Sequence, residues 1–147
     1  MREALIEAEK SFELNEVPVG CVIVHNGIVI GRGFNLKETM KDATYHAEII
    51  ALQNAQESLN HWWLEDCDVY VTLEPCAMCA GAMLNSRIRK LYVGARDLRM
   101  GAVGSAIDLS NVEGFNHQFK VEFGILELEC SQLISEFFKN LRNKKRR

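Results

Sequence analysis

The chain has 147 residues, close to the length of one ordinary domain, and it contains only two prolines and ten glycines. We therefore expect a single domain over residues 1–147 that buries a hydrophobic core without disulfide bonds. Its apolar runs are far shorter than the about 20 residues of a membrane-spanning helix, and its acidic, amphipathic N-terminus is unlike a secretory signal. The composition excludes membrane-spanning, collagen-like and disordered chains and favours a cytoplasmic protein.

The net charge is −3, but the charge is unevenly distributed along the chain. Residues 139–147 carry six cations and no acidic group, so the other residues must sum to −9. A second basic segment lies between Arg87 and Arg99. An acidic body with localised basic segments predicts a polyanionic partner, although a basic terminus is also typical of a solvated, frayed end. The cations of the terminus are Lys139, Arg142, Lys144, Lys145, Arg146 and Arg147.

Hydrophobic periodicity predicts alternating helices and strands along the chain. Asn26 and Gly27 join two β-rich runs, and this pair favours a type I′ hairpin turn, which needs positive φ at both positions. The alternation predicts an α/β fold, with helices on both faces of a mostly parallel sheet that the hairpin makes mixed. The predicted helices cover residues 2–13, 46–58, Pro75 onward and about 130–141, and the predicted strands cover 19–25, 28–34, 67–73, 88–93 and 117–123, with a polar loop over 35–45 and a glycine-rich bend at 101–105.

Two short motifs carry the candidate chemistry: His46-Ala47-Glu48 and Pro75-Cys76-Ala77-Met78-Cys79, each at the start of a predicted helix. Cys76 and Cys79 are three residues apart, so they share a helix face, and a helix N-terminus stabilises thiolates. With the imidazole of His46 they supply three ligands, and three ligands with an open fourth position are typical of a catalytic zinc. We therefore predict one Zn²⁺ per chain, with Glu48 beside it as the general acid and base.

Each of these patterns alone permits another interpretation. A Cys-x-x-Cys pair also occurs in redox sites and structural zinc sites, and a lone His-x-Glu carries little information. Their combination at two helix starts favours the catalytic zinc. The remaining cysteines, Cys21, Cys67 and Cys130, are predicted to be buried core residues. Trp62 and Trp63 are expected to pack over a sheet edge or at a dimer contact rather than to stack on a base.

A His-x-Glu motif followed by Pro-Cys-x-x-Cys is the signature of zinc-dependent nucleobase deaminases. Further segments extend the match in order along nearly the whole chain, and together they resemble the bacterial tRNA-specific adenosine deaminases of the TadA type. These segments are Glu16-Val17-Pro18-Val19-Gly20, Gly33-Phe34-Asn35, His46-Ala47-Glu48-Ile49, residues 73–82, Gly94-Ala95-Arg96-Asp97, residues 101–105, Asn116-His117, Gly124-Ile125-Leu126 and Glu136-Phe137-Phe138.

This resemblance implies a three-layer α/β/α, cytidine-deaminase-like fold with a five-stranded sheet, and a homodimer. It implies hydrolysis of the wobble adenosine to inosine in the anticodon stem-loop of an arginine tRNA. It also implies roles for several residues besides the zinc ligands. Asn35, Ala47 and Pro75 would line the base pocket, Asp97, Arg99 and Asn116 would lie near the anticodon loop, and Lys139 and Arg142 would contact RNA.

Three other functions share part of this pattern. A deaminase of free guanine, cytosine or their nucleosides would use the same zinc motif, so that motif does not discriminate between the substrates. A zinc-stabilised RNA-binding module without activity would leave Glu48 without a purpose. A subunit that needs a different partner chain would be inactive when purified alone.

Overall fold

A computed structural model describes residues 1–146 of the chain, and in it helices and strands alternate along the sequence. Arg147, the last cation of the predicted basic terminus, lies outside the described residues. The helices are α1 (Arg2–Glu13), α2 (Lys37–Met40), α3 (Ala47–Leu59), α4 (Ala77–Ser86) and α5 (Glu127–Lys145), and the strands are β1 (Gly20–His25), β2 (Ile28–Phe34), β3 (Cys67–Leu73), β4 (Lys90–Ala95) and β5 (Lys120–Phe123).

The strands form one mixed five-stranded sheet in the order β2-β1-β3-β4-β5. β1 is antiparallel to both β2 and β3, whereas the β3–β4 and β4–β5 pairs are parallel. The expectation of a mostly parallel sheet is therefore wrong, because half of the pairings are antiparallel. β3 lies beside β1, the first strand of the hairpin, rather than beside β2, and strand periodicity alone does not specify which hairpin strand lies inside.

The hairpin between β1 and β2 has the predicted turn. Asn26 has φ 50° and Gly27 has φ 76°. Positive φ at both central positions is the requirement of a type I′ turn, whose twist matches that of the flanking strands.

Helices cover both faces of the sheet, which confirms the predicted three-layer α/β/α arrangement. Glycines let the backbones approach closely on each side. A Cβ atom at Gly33 would lie 2.2 Å from the carbonyl oxygen of Ala47 in α3, and one at Gly20 would lie 1.9 Å from that of Ala4 in α1. Since these two helices lie on opposite faces, β1 and β2 are held between them.

The main core lies between the sheet and the helices α3 and α4. Alanines of both helices and Met83 of α4 pack against alternate residues of the central strands, among them Val69, Val71, Leu91 and Val93. On the other face α5 contacts β4, where a Cβ atom at Gly94 would meet the Cys130 sulfur at 2.4 Å. α5 also contacts α1 through Phe137 and Phe12, whose ring centroids are 6.1 Å apart.

The helices α2, α4 and α5 differ from the predictions, and α5 begins at Glu127 rather than near residue 130. α4 begins at Ala77 with Cys76 as its N-cap, so the prediction that Pro75 starts this helix is wrong. The Pro75 carbonyl instead accepts a hydrogen bond from the Ala102 amide at 2.9 Å, which commits it to the neighbouring loop. The short helix α2 also lies within the segment that was predicted to be a polar loop.

The last helix continues through most of the basic terminus to Lys145, so this part of the terminus is helical. Cations in the last turn interact favourably with the helix dipole. In addition, the Lys144 ammonium donates a hydrogen bond to the Asn15 side chain at 3.0 Å, which ties the end of α5 to the loop after α1.

None of the helices formed by residues 1–146 has the length and apolarity that crossing a membrane would need.

Candidate active site

Two helix N-termini meet near the carboxyl end of β3. His46 is the N-cap of α3 and Cys76 is the N-cap of α4, and both have extended backbone (φ −84°, ψ 154° and φ −74°, ψ 176°). His46 and Cys76 each immediately precede a helix, so the turn that leads into the helix fixes the direction of the side chain. The predicted first-turn position of the cysteines is therefore close to the observed one.

Within the described part of the chain, His46, Cys76 and Cys79 are the one group of ligand-type side chains close enough to hold a metal ion, with ligand atoms all within 4.8 Å of one another. The Nδ1 atom of His46 lies 3.6 Å from the Cys76 sulfur and 3.5 Å from the Cys79 sulfur. Tetrahedral zinc, with its usual bonds to nitrogen and sulfur, places two such ligand atoms about 3.6 Å apart. One nitrogen and two sulfurs at these separations fit zinc.

The two cysteines of this cluster have opposite pKa shifts. Hydrogen bonds from the Cys79 thiol and then from His46 lower the pKa of Cys76 to about 4. The Cys76 sulfur, followed by burial and the charge of Glu48, raises the pKa of Cys79. The pKa of His46 is raised, first of all by its hydrogen bond to Cys76. The thiolate is the form of cysteine that binds metals, and the lowered pKa of Cys76 favours that form.

Glu48 is in the first turn of α3, two residues after His46, and its side chain is buried. Burial raises the pKa of Glu48 to about 7, and the negative charge of Cys76 acts in the same direction. A carboxyl group that titrates near neutral pH accepts and donates a proton with similar ease. The arrangement therefore places a proton carrier beside a cluster with the donor set of a metal site.

His46, Cys76 and Glu48 line a cavity of about 290 Å³, which is large enough for a nucleobase and partly open to solvent, whereas Cys79 is not part of its lining. Its lining residues are Val17, Val19, Asn35, Lys37, His46, Ala47, Glu48, Leu73, Glu74, Cys76, Asp97 and Met100.

The structure brings several of the predicted substrate-binding residues together at this cavity. Asn35, Ala47 and Asp97 line it. Pro75 is buried directly before Cys76 and is not part of the lining. Arg99 is exposed on the same loop as Asp97, and its amide donates a hydrogen bond to the Asp97 carboxylate at 3.1 Å.

Asn116 lies elsewhere in the fold. The ring of the next residue, His117, hydrogen-bonds with the carbonyl of Ile88 at 2.9 Å. Ile88 precedes β4, so this contact lies at the end of β4 opposite to the carboxyl end of the neighbouring β3. Within one chain, Asn116 is thus not brought to the cavity.

Asn35 has a structural role in addition to its place in the cavity. Its side chain donates a hydrogen bond to the Val17 carbonyl at 3.1 Å and accepts one from the Lys37 amide at 3.1 Å. The second bond is the turn-capping interaction expected of an asparagine after a strand. Asn35 therefore also holds two other lining residues in place.

Two buried carboxylates that support the cavity were not singled out from the sequence. Glu74 accepts hydrogen bonds from the amides of Asp97 (3.1 Å), Val103 (3.2 Å) and Ser105 (3.1 Å), and also from the Ser105 hydroxyl. Glu16 accepts hydrogen bonds from the amides of Glu38 (3.1 Å) and Thr39 (2.6 Å). Both residues belong to motifs on which the family resemblance rests. An acidic residue next to apolar positions that are predicted to be buried is the sequence feature that could have indicated their structural role.

The other cysteines and the two tryptophans do not line the cavity. Cys21, Cys67 and Cys130 are buried free thiols, as predicted. Trp62 and Trp63 remain 55% and 43% exposed, and Trp63 stacks on His61 with ring centroids 3.9 Å apart. Within one chain the two tryptophans are therefore surface residues.

The sequence of the chain is similar to those of known deaminases. The profile of the MafB19-like deaminases matches residues 1–142. The chain is 47% identical to the tRNA-specific adenosine deaminase of Bacillus subtilis over 146 residues, covering 99% of this chain and 91% of that protein. It is 46% identical to the tRNA-specific adenosine deaminase of Aquifex aeolicus, covering 97% of this chain and 94% of that protein.

Solved structures of deaminases also match the fold of this chain. A structure from a study of A-to-I editing by tRNA:A34 deaminases at the wobble position of transfer RNA superimposes with a TM-score of 0.87 and 42% identity, covering 90% of this chain and 96% of that one. The guanine deaminase of Nitrosomonas europaea, at 22% identity and a TM-score of 0.75, shares the fold. From the extent and identity of these matches, the chain belongs to the family of tRNA-specific adenosine deaminases.

Proposed function

We propose that this protein hydrolyses the wobble adenosine of a tRNA to inosine with release of ammonia, and that it acts on the anticodon stem-loop of an arginine tRNA. One observation supports the chemistry above all others: the buried Glu48 lines the same cavity as His46 and Cys76, which together with Cys79 form the one metal-type cluster of the described residues. The family to which the chain belongs supports the substrate.

The proposed cofactor is one Zn²⁺ per chain, held by His46 Nδ1 and the sulfurs of Cys76 and Cys79. When bound there, the zinc would supply the Lewis acidity that lowers the pKa of a water molecule toward neutrality. The chain keeps the three ligand atoms at the observed spacing and holds Glu48 in the lining of the cavity that His46 and Cys76 also line.

Glu48 carries the proton transfers of the proposed reaction. It accepts a proton from the attacking water as the water oxygen bonds to C6 of adenine, and it delivers that proton to the ring nitrogen N1. It then moves the proton of the new hydroxyl group to the amino nitrogen, the bond from C6 to that nitrogen breaks, and ammonia leaves. One water is consumed and inosine remains. Asn35 and Ala47 line the space around the base.

The RNA would approach the open side of the cavity. Asp97, Arg99 and Met100 belong to one loop beside the cavity. The C-terminal end of α5 is also near the cavity. There Lys144 contacts Asn15, which lies two residues before the lining residue Val17. The cations of this helix end, including Lys139 and Arg142, would contact phosphates of the stem. Anticodon-loop bases are unpaired, so extrusion of one base into the cavity costs little.

The proposal takes residues 1–147 as a single deaminase domain that acts as a homodimer in the cytoplasm. The free thiols of the described residues suit a reducing compartment. In a dimer, Asn116 of one chain could approach the RNA bound to the other, which would reconcile its distant position with the role that the family resemblance implies.

The test is sequencing of a tRNA or an anticodon stem-loop after incubation with the zinc-loaded protein, because inosine is read as G. We expect an A-to-G change at the wobble position alone, with equimolar release of ammonia. Free adenosine, guanine and cytosine are the matched comparison substrates. Turnover of a free base with no change in the RNA would contradict the proposal and favour a nucleobase deaminase.

A further inference from the structure

We propose that Lys37 binds the backbone phosphate next to the target adenosine and so positions the nucleotide as its base enters the cavity. This inference rests on the proposed function, since it needs an RNA substrate. It assigns a role to a residue that neither the sequence motifs nor the metal cluster identify.

The first observation is the position of Lys37. It begins α2 and lines the same cavity as Asn35, His46 and Glu48, but unlike them it is exposed. A long, exposed cationic side chain on the lining of an open cavity lies at its rim. A nucleotide that inserts its base into the cavity leaves its phosphates outside, at that rim.

The second observation is that the backbone around Lys37 is held firmly. Its amide donates a hydrogen bond to the Asn35 side chain at 3.1 Å. The amides of the next two residues both donate to the carboxylate of Glu16, which is only 1% exposed. An otherwise polar, exposed loop is thereby attached to the buried part of the molecule at the point that carries Lys37.

The third observation is that the ammonium group of Lys37 forms no ion pair. Within residues 1–146, no carboxylate oxygen lies within 4 Å of it, whereas Lys10, Arg89 and Lys90 each have a carboxylate partner at that distance. Glu16, the buried carboxylate that holds this loop, already uses both oxygens for backbone amides. Lys37 is therefore available to a ligand, and an anion at the rim would be its partner.

The chemistry favours a phosphate over the base itself. An ammonium group has three donors and no acceptor, and it binds phosphate as a point charge without reading sequence. A contact of this kind strengthens RNA binding and makes that binding more dependent on salt. It leaves the rate of the chemical step unchanged once the RNA is bound.

The experiment compares the wild type with Lys37→Gln, Lys37→Arg and Lys41→Gln on an anticodon stem-loop. Lys41 is the C-cap of the same short helix, is exposed and does not line the cavity, so Lys41→Gln is the matched control. We expect Lys37→Gln to raise KM on the order of fivefold with kcat unchanged, because it removes one charge-assisted contact. The slope of log KM against log salt should fall by about 0.7, the value for one phosphate of a single strand. Lys37→Arg should restore both.

A second arm tests the identity of the phosphate. Neutral methylphosphonate linkages are placed one at a time on either side of the target nucleotide. One of the two should raise the KM of the wild type and have no further effect on Lys37→Gln. The inference is overturned if Lys37→Gln and Lys41→Gln behave alike, if kcat falls instead of KM rising, or if both linkages affect Lys37→Gln as they affect the wild type. If the wild type itself leaves the stem-loop unchanged, the proposed function has failed first.

Discussion

Two groups of residues around the same cavity have opposite surroundings. The reactive cluster, His46, Glu48, Cys76 and Cys79, has a carboxylate whose pKa burial raises to about 7. The supporting carboxylates, Glu16 and Glu74, have oxygens that backbone amides occupy. A buried carboxylate whose charge is poorly stabilised has a raised pKa and can exchange protons near neutral pH. A buried carboxylate whose oxygens accept hydrogen bonds from backbone amides instead holds the backbone in place. The same residue type thus serves chemistry in one place and loop geometry in the other.

Loss of a metal ligand should have the largest effect. Cys76→Ala should reduce bound zinc from one per chain to nearly none, and deaminase activity should fall to background, because two ligands no longer form a catalytic site. Elemental analysis and ammonia release measure the two quantities. The matched control is Cys67→Ala, a buried cysteine at the start of β3, which should keep both. Stoichiometric zinc in Cys76→Ala would show that the metal site is elsewhere.

Glu48→Gln should abolish most activity without loss of metal or stability. Loss of the proton carrier should lower kcat by roughly 10²–10⁴-fold. Zinc content should remain at one per chain, and the free energy of unfolding should stay equal or rise, because a neutral amide costs less to bury than a carboxylate. Single-turnover kinetics and urea unfolding measure these effects. A variant that unfolds more readily but turns over normally would place Glu48 among the structural carboxylates.

Glu74→Gln should show the reverse pattern. The amide offers one oxygen where the carboxylate offered two, and its NH₂ group faces backbone N–H donors. We expect a loss of about 2 kcal/mol in the free energy of unfolding, since buried donors are left unpaired. Zinc content should be retained. Activity should fall less than in Glu48→Gln, through misplacement of Asp97 and Met100. Equal losses of activity in the two variants would remove the distinction between the two regions.

The sequence allowed the reactive cluster to be predicted in advance but not its supporting carboxylates, and the reason is physical. His46 with Glu48, and Cys76 with Cys79, are close in sequence, and a helix start fixes each pair locally. The two pairs are about 30 residues apart, and their shared zinc-ligand chemistry joins them in the prediction. The partners of Glu16 and Glu74 lie 22 to 31 residues away along the chain, so their contacts exist only after the sheet has formed. The same limit explains why the place of β3 beside β1 was not predicted.

The smallest effect should come from Glu16, and it should depend on pH. Burial raises the pKa of Glu16, but the hydrogen bonds from Thr39 and Glu38 outweigh it, so the folded pKa lies below the ordinary value of 4.5. The folded state therefore favours the charged form. The stability that this carboxylate contributes is complete above pH 4.5 and is lost as the pH falls through the lowered folded pKa.

Glu16→Gln should accordingly lower the free energy of unfolding by about 1 kcal/mol at pH 7, the typical value of a lost capping interaction. The difference from the wild type should shrink as the pH falls below 4.5, because the wild type then loses the same charge. Urea unfolding at pH 7 and pH 3.5 measures it, with the exposed Glu113→Gln as a control that changes little at either pH. A difference that is the same at both pH values would mean that Glu16 supports the Lys37 loop by its shape rather than by its charge.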